Sequence, residues 1–165
     1  MSPSSFEPFE QAMDELSLRL ASRHQLRESV ISRLFMHVAT RLGDHMDAPL
    51  REHALNSTLW TSLVVIYASE QHRLKPSDLS VFMNSSRTNS TRVARELERQ
   101  GYVTRLAGES DRRQLFLQLT PKAQDFVRQY LPRRRTQLKS LFANFEASEI
   151  DELERLLRKL LTHVE

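Results

Sequence analysis

The 165-residue sequence contains no cysteine, which excludes disulfides, thiolate metal sites and any thiol-based redox switch. This absence agrees with a cytoplasmic setting. Glycine occurs only three times, a scarcity that favours helix over an all-β fold. No apolar run approaches the roughly 18–20 residues of a membrane span. The longest, LWTSLVVIYA from Leu59 to Ala68, fits a buried helix. The amino-terminal stretch MSPSSFEPFEQAMDE has no basic region followed by an apolar one, so no secretory leader is expected. There is no G-x-S-x-G, no phosphate-cradling glycine loop and no nucleophile–base pair, so neither an enzyme nor a cofactor is expected. The histidines (His24, His37, His45, His53, His72 and His163) are scattered. None has the i, i+4 spacing of a helical metal site, and no metal is expected.

What is present is ordinary in amount and uneven in distribution. Hydrophobic residues make up 39% and charged residues 27%, with a net charge of +3, a balance that suits one soluble domain large enough to bury a core. Residues 1–27, with Pro3 and Pro8, read as a loose arm leading into a short helix. Val30, Leu34, Phe35, Val38, Ala39 and Leu42 recur at helical spacing from Ser29 to Met46, and GDHMDAPLREHAL breaks that helix. Asn56 caps a second, central helix from Ser57 to about Ser69. Pro76, at a first helical position, starts a helix of about two turns. Another runs through 87–101 and stops at Gly101. Two strands follow, Tyr102–Leu106 and the alternating Leu115, Leu117, Leu119 with Gln114, Phe116, Gln118, joined by a turn at Gly108. Thr120 caps a helix with Pro121 at its first position. That helix meets Pro132 and resumes through Leu138, Leu141 and Phe145. Ser148 with Asp151 caps a last helix carrying Ile150, Leu153, Leu156, Leu157, Leu160 and Leu161.

The middle of the chain therefore reads as a helix-turn-helix followed by a β-ribbon. In the second of these helices Ser90, Val93, Ala94 and Leu97 form a small, apolar stripe, while Thr88, Thr91, Arg92, Arg95 and Arg99 lie about 200° round the axis. Such a helix is either a solvated amphipathic surface or one laid in a major groove, where arginine reads guanine and Ser, Thr and Asn reach phosphates or base edges. Between Arg87 and Arg113 there are seven arginines and four acids, an excess equal to that of the whole chain. That is the footprint of polyanion binding. At the ribbon tip, Asp111 stands two residues before Arg113 and is placed to hold its guanidinium in a fork. The tip is then either a polar hairpin end with a surface ion pair or a wing carrying an arginine into a narrow minor groove.

The order of elements, STRVARELERQGYV and above all DRRQLFLQLT resemble the MarR family of bacterial winged-helix transcription regulators. Asp111, Arg113, Leu119 and Thr120 match its wing signature, and Leu97, Glu98 and Gly101 match the end of its recognition helix. SSRTNSTR, ASRH, RLFMH and RKLL are similar to the EmrR (MprA) branch of multidrug-efflux repressors. The resemblance implies a mainly α fold, a winged helix-turn-helix with a short two-stranded wing and long terminal dimerisation helices. The implied layout is a single unit over 1–165, with residues 1–50 and 121–165 for dimerisation and 51–120 as the DNA-binding lobe.

It further implies a homodimer on a pseudo-palindromic double-stranded operator. Ser86, Arg87, Thr88, Asn89, Thr91, Arg92 and Arg95 would lie at the major groove or its phosphates. Arg113, oriented by Asp111, would enter the minor groove, and Arg112 would meet the backbone. Members often take a small aromatic or anionic effector in a cleft between the dimer helices and the DNA-binding lobe. Met36, His37, Trp60, Phe126 and Tyr130 are the candidates to line it. The expected function is a repressor relieved by a small ligand, controlling efflux or stress genes. The rival is a winged-helix protein-interaction module. The leucine stripes at 30–42 and 150–161 either pack on each other within one chain or form the dimer interface. The basic run PRRRTQLK, 132–139, faces solvent or attracts an anionic effector or flanking phosphates.

Overall fold

A computed structural model describes residues 4–20, 27–108 and 114–164. The chain divides into two compact units, Met1–Thr61 and Ser62–Glu165.

In the first unit, α1 spans Glu7–Leu20 and α2 spans Arg27–Asp47. The short helix expected within residues 1–27 is α1. Its start is held by Phe6, which is only 4% exposed; its ring lies 5.3 Å from Phe9 and 5.5 Å from His37 on α2. The Ser5 hydroxyl sits 2.8 Å from His37 Nε2. Burying one phenyl ring favours order by roughly 1.5–3 kcal/mol, and proline content near the terminus does not register that contact. Helix α2 passes Gly43 and ends at Asp47, one residue after the expected Met46, since a single interior glycine costs a helix only about 1 kcal/mol. A 3₁₀ turn follows at Ala48–His53 and closes at Ala54, in the left-handed region at φ 55°. Asp47 then accepts a 2.7 Å hydrogen bond from the Ser57 backbone N–H, and Asn56 Oδ1 accepts from Leu59 N–H at 2.9 Å. These satisfy donors at the start of α3, Ser57–Ala68, with Asn56 as the expected cap.

In the second unit, Leu63 and Ile66 of α3 are fully buried. A 3₁₀ turn at Glu70–His72 leads into β1, Arg73–Leu74, and then α4 at Pro76–Phe82 and α5 at Arg87–Arg99. Strands β2, Val103–Ala107, and β3, Leu115–Leu119, follow. The sheet has three antiparallel strands in the order β1-β3-β2, one more than expected. Strand β1 pairs Arg73 with Gln118 and Leu74 with Leu117. A two-residue strand offers no period to read, so its pairing is decided by β3 alone. In β3, Leu117 and Leu119 turn to the core and Leu115 stays exposed.

Thr120 caps α6, Pro121–Leu141, its hydroxyl accepting from Ala123 N–H. The helix does not pause at Pro132, as the sequence had suggested. Ala123, Val127, Tyr130 and Arg134 are buried at i, i+4, i+7, i+11, a single stripe that continues across the proline. Inside the basic run, Arg134 is 5% exposed and donates to Gln137 at 3.0 Å, whereas Arg133, Arg135 and Lys139 are exposed. Finally, α7 spans Ala147–Val164. It starts one residue before the expected Ser148 cap: Glu149 reaches back to the Glu146 backbone N–H at 2.9 Å, the returning half of a capping box. No described helix is long and apolar enough to cross a membrane.

Candidate nucleic-acid interface

The helix-turn-helix is built by short-range chemistry. Pro76 enters α4 without losing a hydrogen bond, since the first helical N–H has no intrahelical acceptor. Leu79 points fully inward. The turn is made by Asn84 at φ 42°, a residue type that tolerates the left-handed region, with Ser85 N–H bonded to the Ser80 carbonyl at 3.0 Å. Ser86 then caps α5, accepting from Asn89 N–H at 3.2 Å. The hydroxyls of Ser85 and Ser90 meet at 3.1 Å and close the turn onto the helix.

Helix α5 docks by Ser90, Val93, Ala94 and Leu97, all four buried as the spacing required. It ends where Gly101 takes φ 74° and Tyr102 N–H returns to the Leu97 carbonyl at 2.9 Å. The start of α6 is stitched to this end. Thr120 donates to the Gly101 carbonyl at 2.9 Å, and Lys122 donates to the Gln100 carbonyl at 2.9 Å with its ammonium 4.5 Å from the Tyr102 ring centroid.

Opposite the buried stripe, Arg87, Thr88, Thr91, Arg92, Arg95, Glu96 and Arg99 line one shallow open concavity. The structure thus brings together most of the expected recognition-helix residues, with Asn89 half-buried beside them. The arginines there differ in what holds them. Arg99 grips Glu96 with two nitrogens, at 2.9 and 2.6 Å. Those bonds, the Gln100 amide and the charge of Arg92 pull the Glu96 carboxyl from 4.5 down to about 2. Arg92 donates to the Asn89 side-chain carbonyl at 3.0 Å. The guanidiniums of Arg87 and Arg95 have no hydrogen-bonded or ion-paired partner among the described residues. Glu98 is occupied by Arg105 of β2, at 3.0 Å. The two acids of this helix are therefore each neutralised by a neighbour, while Arg87, Arg92 and Arg95 keep their charge. Sequence counting showed the excess but not which arginines carry it, and it missed Glu96, because pairing depends on rotamers.

The strands β2 and β3 close toward a hairpin end with Gly108 N–H on the Gln114 carbonyl at 2.8 Å. Asp111, Arg112 and Arg113, expected at its tip, lie outside the described residues. Of the expected ligand contacts, Met36 is 59% exposed and His37 touches Phe6 and Ser5. Trp60 is buried. Phe126 stacks on the buried Tyr130 at 5.4 Å and lies 5.6 Å from Tyr102. Among the described residues no three histidine, aspartate or glutamate side chains converge.

Comparison with known proteins points one way. The family model of the MarR family matches residues 55–115, a span that includes the helix-turn-helix and β2 and ends at the first residue of β3. The transcriptional repressor MprA of Escherichia coli K12 is 39% identical over 165 residues, covering 98% of this chain and 92% of the relative. Among solved structures, AbsC, a MarR family transcriptional regulator from Streptomyces coelicolor, has a TM-score of 0.75 at 25% identity, covering 83% of this chain and 93% of that one. A second MarR family transcriptional regulator from the same organism, solved in complex with DNA, has a TM-score of 0.76 at 24% identity, covering 84% and 88%.

Proposed function

This chain belongs to the MarR family, and on that premise we propose that it is a dimeric, sequence-specific DNA-binding repressor released by a small aromatic or anionic ligand. The observation that carries this reading is the outer face of α5, where the guanidiniums of Arg87, Arg92 and Arg95 form no ion pair with a carboxylate among the described residues and lie beside Thr88 and Thr91. Three uncompensated guanidiniums on one exposed helix face attract phosphates and offer paired donors to base edges. Ser86 shapes the helix start, and Asn89 supports Arg92. Asp111, Arg112 and Arg113 are assigned to the minor groove and its backbone on their sequence pattern alone.

The dimer is supported by apolar surface that one chain leaves open. Ile31, Phe35 and Val38 on α2 are each about half exposed, and so are Leu156, Leu160 and Leu161 on α7. Contiguous stripes of this kind are rare on monomers and mark interfaces. Two copies related by a twofold axis present two α5 helices, which suits a pseudo-palindromic site on double-stranded DNA. Residues 1–50 and 121–165 are assigned to dimerisation and 51–120 to the DNA-binding lobe. The effector contacts assigned are Met36 and His37, Trp60, and Phe126 and Tyr130, whose thioether, imidazole and aromatic faces suit an aromatic ligand. The relative's role as a repressor favours control of a cytoplasmic regulatory circuit, with efflux or stress genes as the targets.

The test is a binding titration of the purified protein against fragments from upstream of its own and neighbouring genes, at two salt concentrations. Tight, steeply salt-dependent binding to one fragment, weakened by Arg95→Ala and Arg113→Ala, is the expected result. Binding no tighter than to random DNA at either salt, with both variants unchanged, sinks the reading and favours a protein partner for the same face.

A further inference from the structure

The arginines on the outer face of α5 are held in three different ways, and that difference sorts their roles. Arg99 is spent on Glu96. Arg87 and Arg95 are held by no side chain among the described residues. Only Arg92 is both without a carboxylate partner in hydrogen-bond reach and restrained by a side chain: one Nη2 hydrogen goes to Asn89 Oδ1 at 3.0 Å. The amide that holds it is itself anchored, since Asn89 is half-buried and its backbone N–H is bound by Ser86 Oγ at 3.2 Å. Ser86, Asn89 and Arg92 thus form a ladder up one edge of the helix at i, i+3, i+6.

We propose that Arg92, clipped by Asn89, is the base-reading arginine of this helix and that the base it reads is a guanine in the major groove, while Arg87 and Arg95 meet phosphates. The inference rests on the DNA-binding reading above and names the base that this reading leaves open. Its ground is geometric. A neutral amide acceptor leaves the guanidinium charge intact, whereas a carboxylate would cancel it. With one Nη2 hydrogen committed, the other still makes a planar two-donor fork with Nη1–H or with Nε–H. Guanine presents two acceptors side by side, O6 and N7, to receive them. Adenine places an amino donor where guanine has O6, so one of the two bonds becomes a clash of donors. A clipped side chain also loses less rotamer freedom on binding than an unrestrained one. Phosphates, by contrast, line the groove on both sides and accept from many directions, which suits Arg87 and Arg95.

Thr91 supports the same assignment. Its hydroxyl donates to the Arg87 carbonyl at 2.8 Å, so its hydrogen is committed within the helix. Beside Arg92 it offers a methyl group and lone pairs, and no competing donor for the guanine acceptors.

The experiment uses the full-length protein and a duplex selected by it from a random library. Each guanine of the half-site is replaced singly by 7-deazaguanine, which lacks the N7 acceptor, and affinities are measured for wild type and for Asn89→Ala, Arg92→Ala, Arg92→Lys, Arg87→Ala and Arg95→Ala. One guanine per half-site should weaken wild-type binding roughly fivefold to a hundredfold when so replaced. That penalty should vanish in Arg92→Ala and in Arg92→Lys, which keeps the charge but not the fork. It should shrink in Asn89→Ala. Arg87→Ala and Arg95→Ala should keep the penalty in full and lower the salt slope by about one for each half-site. A penalty that survives in Arg92→Ala, or that disappears in Arg95→Ala instead, overturns the assignment. A penalty undiminished in Asn89→Ala overturns the role of the clip. A failure of the wild type to select any duplex is a different result, and it removes the DNA-binding reading itself.

Discussion

The guanidinium of Arg105, on β2, donates through Nε to the Glu98 carboxylate on α5 at a distance of 3.0 Å. It fastens the strand that leads into the wing to the outward face of the helix that precedes it. The side chains remain 32% and 41% exposed, so water screens the pair. Glu98→Gln should lower stability by only about 0.2–1 kcal/mol, read from urea unfolding. The same change leaves Arg105 uncompensated beside α5, and affinity for random DNA at low salt should rise. A fall in that affinity would show that the pair is needed to hold the face in shape.

Two glycines should respond to alanine with opposite signs. Gly101 sits at φ 74°, and an added Cβ there meets open space. The cost is purely conformational, and Gly101→Ala should destabilise by about 1–2 kcal/mol. Gly43 lies inside α2 with no positive φ and nothing near an added Cβ. Gly43→Ala should therefore stabilise by roughly 0.5–1 kcal/mol. Thermal unfolding of the two single variants checks both.

Glu96 should titrate far below an ordinary carboxylate. Arg99 and then Gln100 bond the ionised form and hold it near 2 instead of 4.5. With the folded value depressed, the contribution of this cluster is fully present above the ordinary carboxylate range, declines as pH falls below 4.5 and is gone once pH has fallen through about 2. The side-chain carboxyl resonance of Glu96, followed by NMR, should stay that of the anion at pH 4. In Arg99→Ala the midpoint should move back up toward 4.5. A wild-type midpoint near 4.5 would mean that the fork does not persist in solution.

The apolar face of α7 should govern assembly. Leu156 and Leu160 are each nearly half exposed in the single chain, one turn apart. Burying a leucine is worth roughly 1.5–3 kcal/mol, and a twofold interface counts each residue twice. Leu156→Glu should raise the dimer dissociation constant by at least about a hundredfold, measured by sedimentation equilibrium. Unchanged assembly would place the interface on other residues.

Elements with a repeating period were legible from the chain alone. The stripe Ser90, Val93, Ala94, Leu97 turned inward as its spacing required, and Asn56 and Thr120 cap the helices their positions announced. Caps and amphipathic faces are local: the residues that specify them lie within a turn of the backbone groups they satisfy. The charge excess between Arg87 and Arg113, which directed attention to this face, was likewise a property of composition.

What the chain alone did not determine was set by contacts between residues far apart in sequence. Phe6 reaches His37 on α2 and so anchors the start of helix α1. Strand β1 exists because β3 offers Gln118 and Leu117 to Arg73 and Leu74. The stripe that runs from Ala123 to Arg134 carries α6 past Pro132. In the same way, the arginines of α5 are alike in sequence, and only their neighbours' rotamers separate the one clipped by Asn89 from the one neutralised by Glu96 and from the two left unheld. Spacing specifies which side of a helix a residue occupies. Which partner it keeps there depends on three-dimensional packing, because a hydrogen bond forms only where both groups are held within reach.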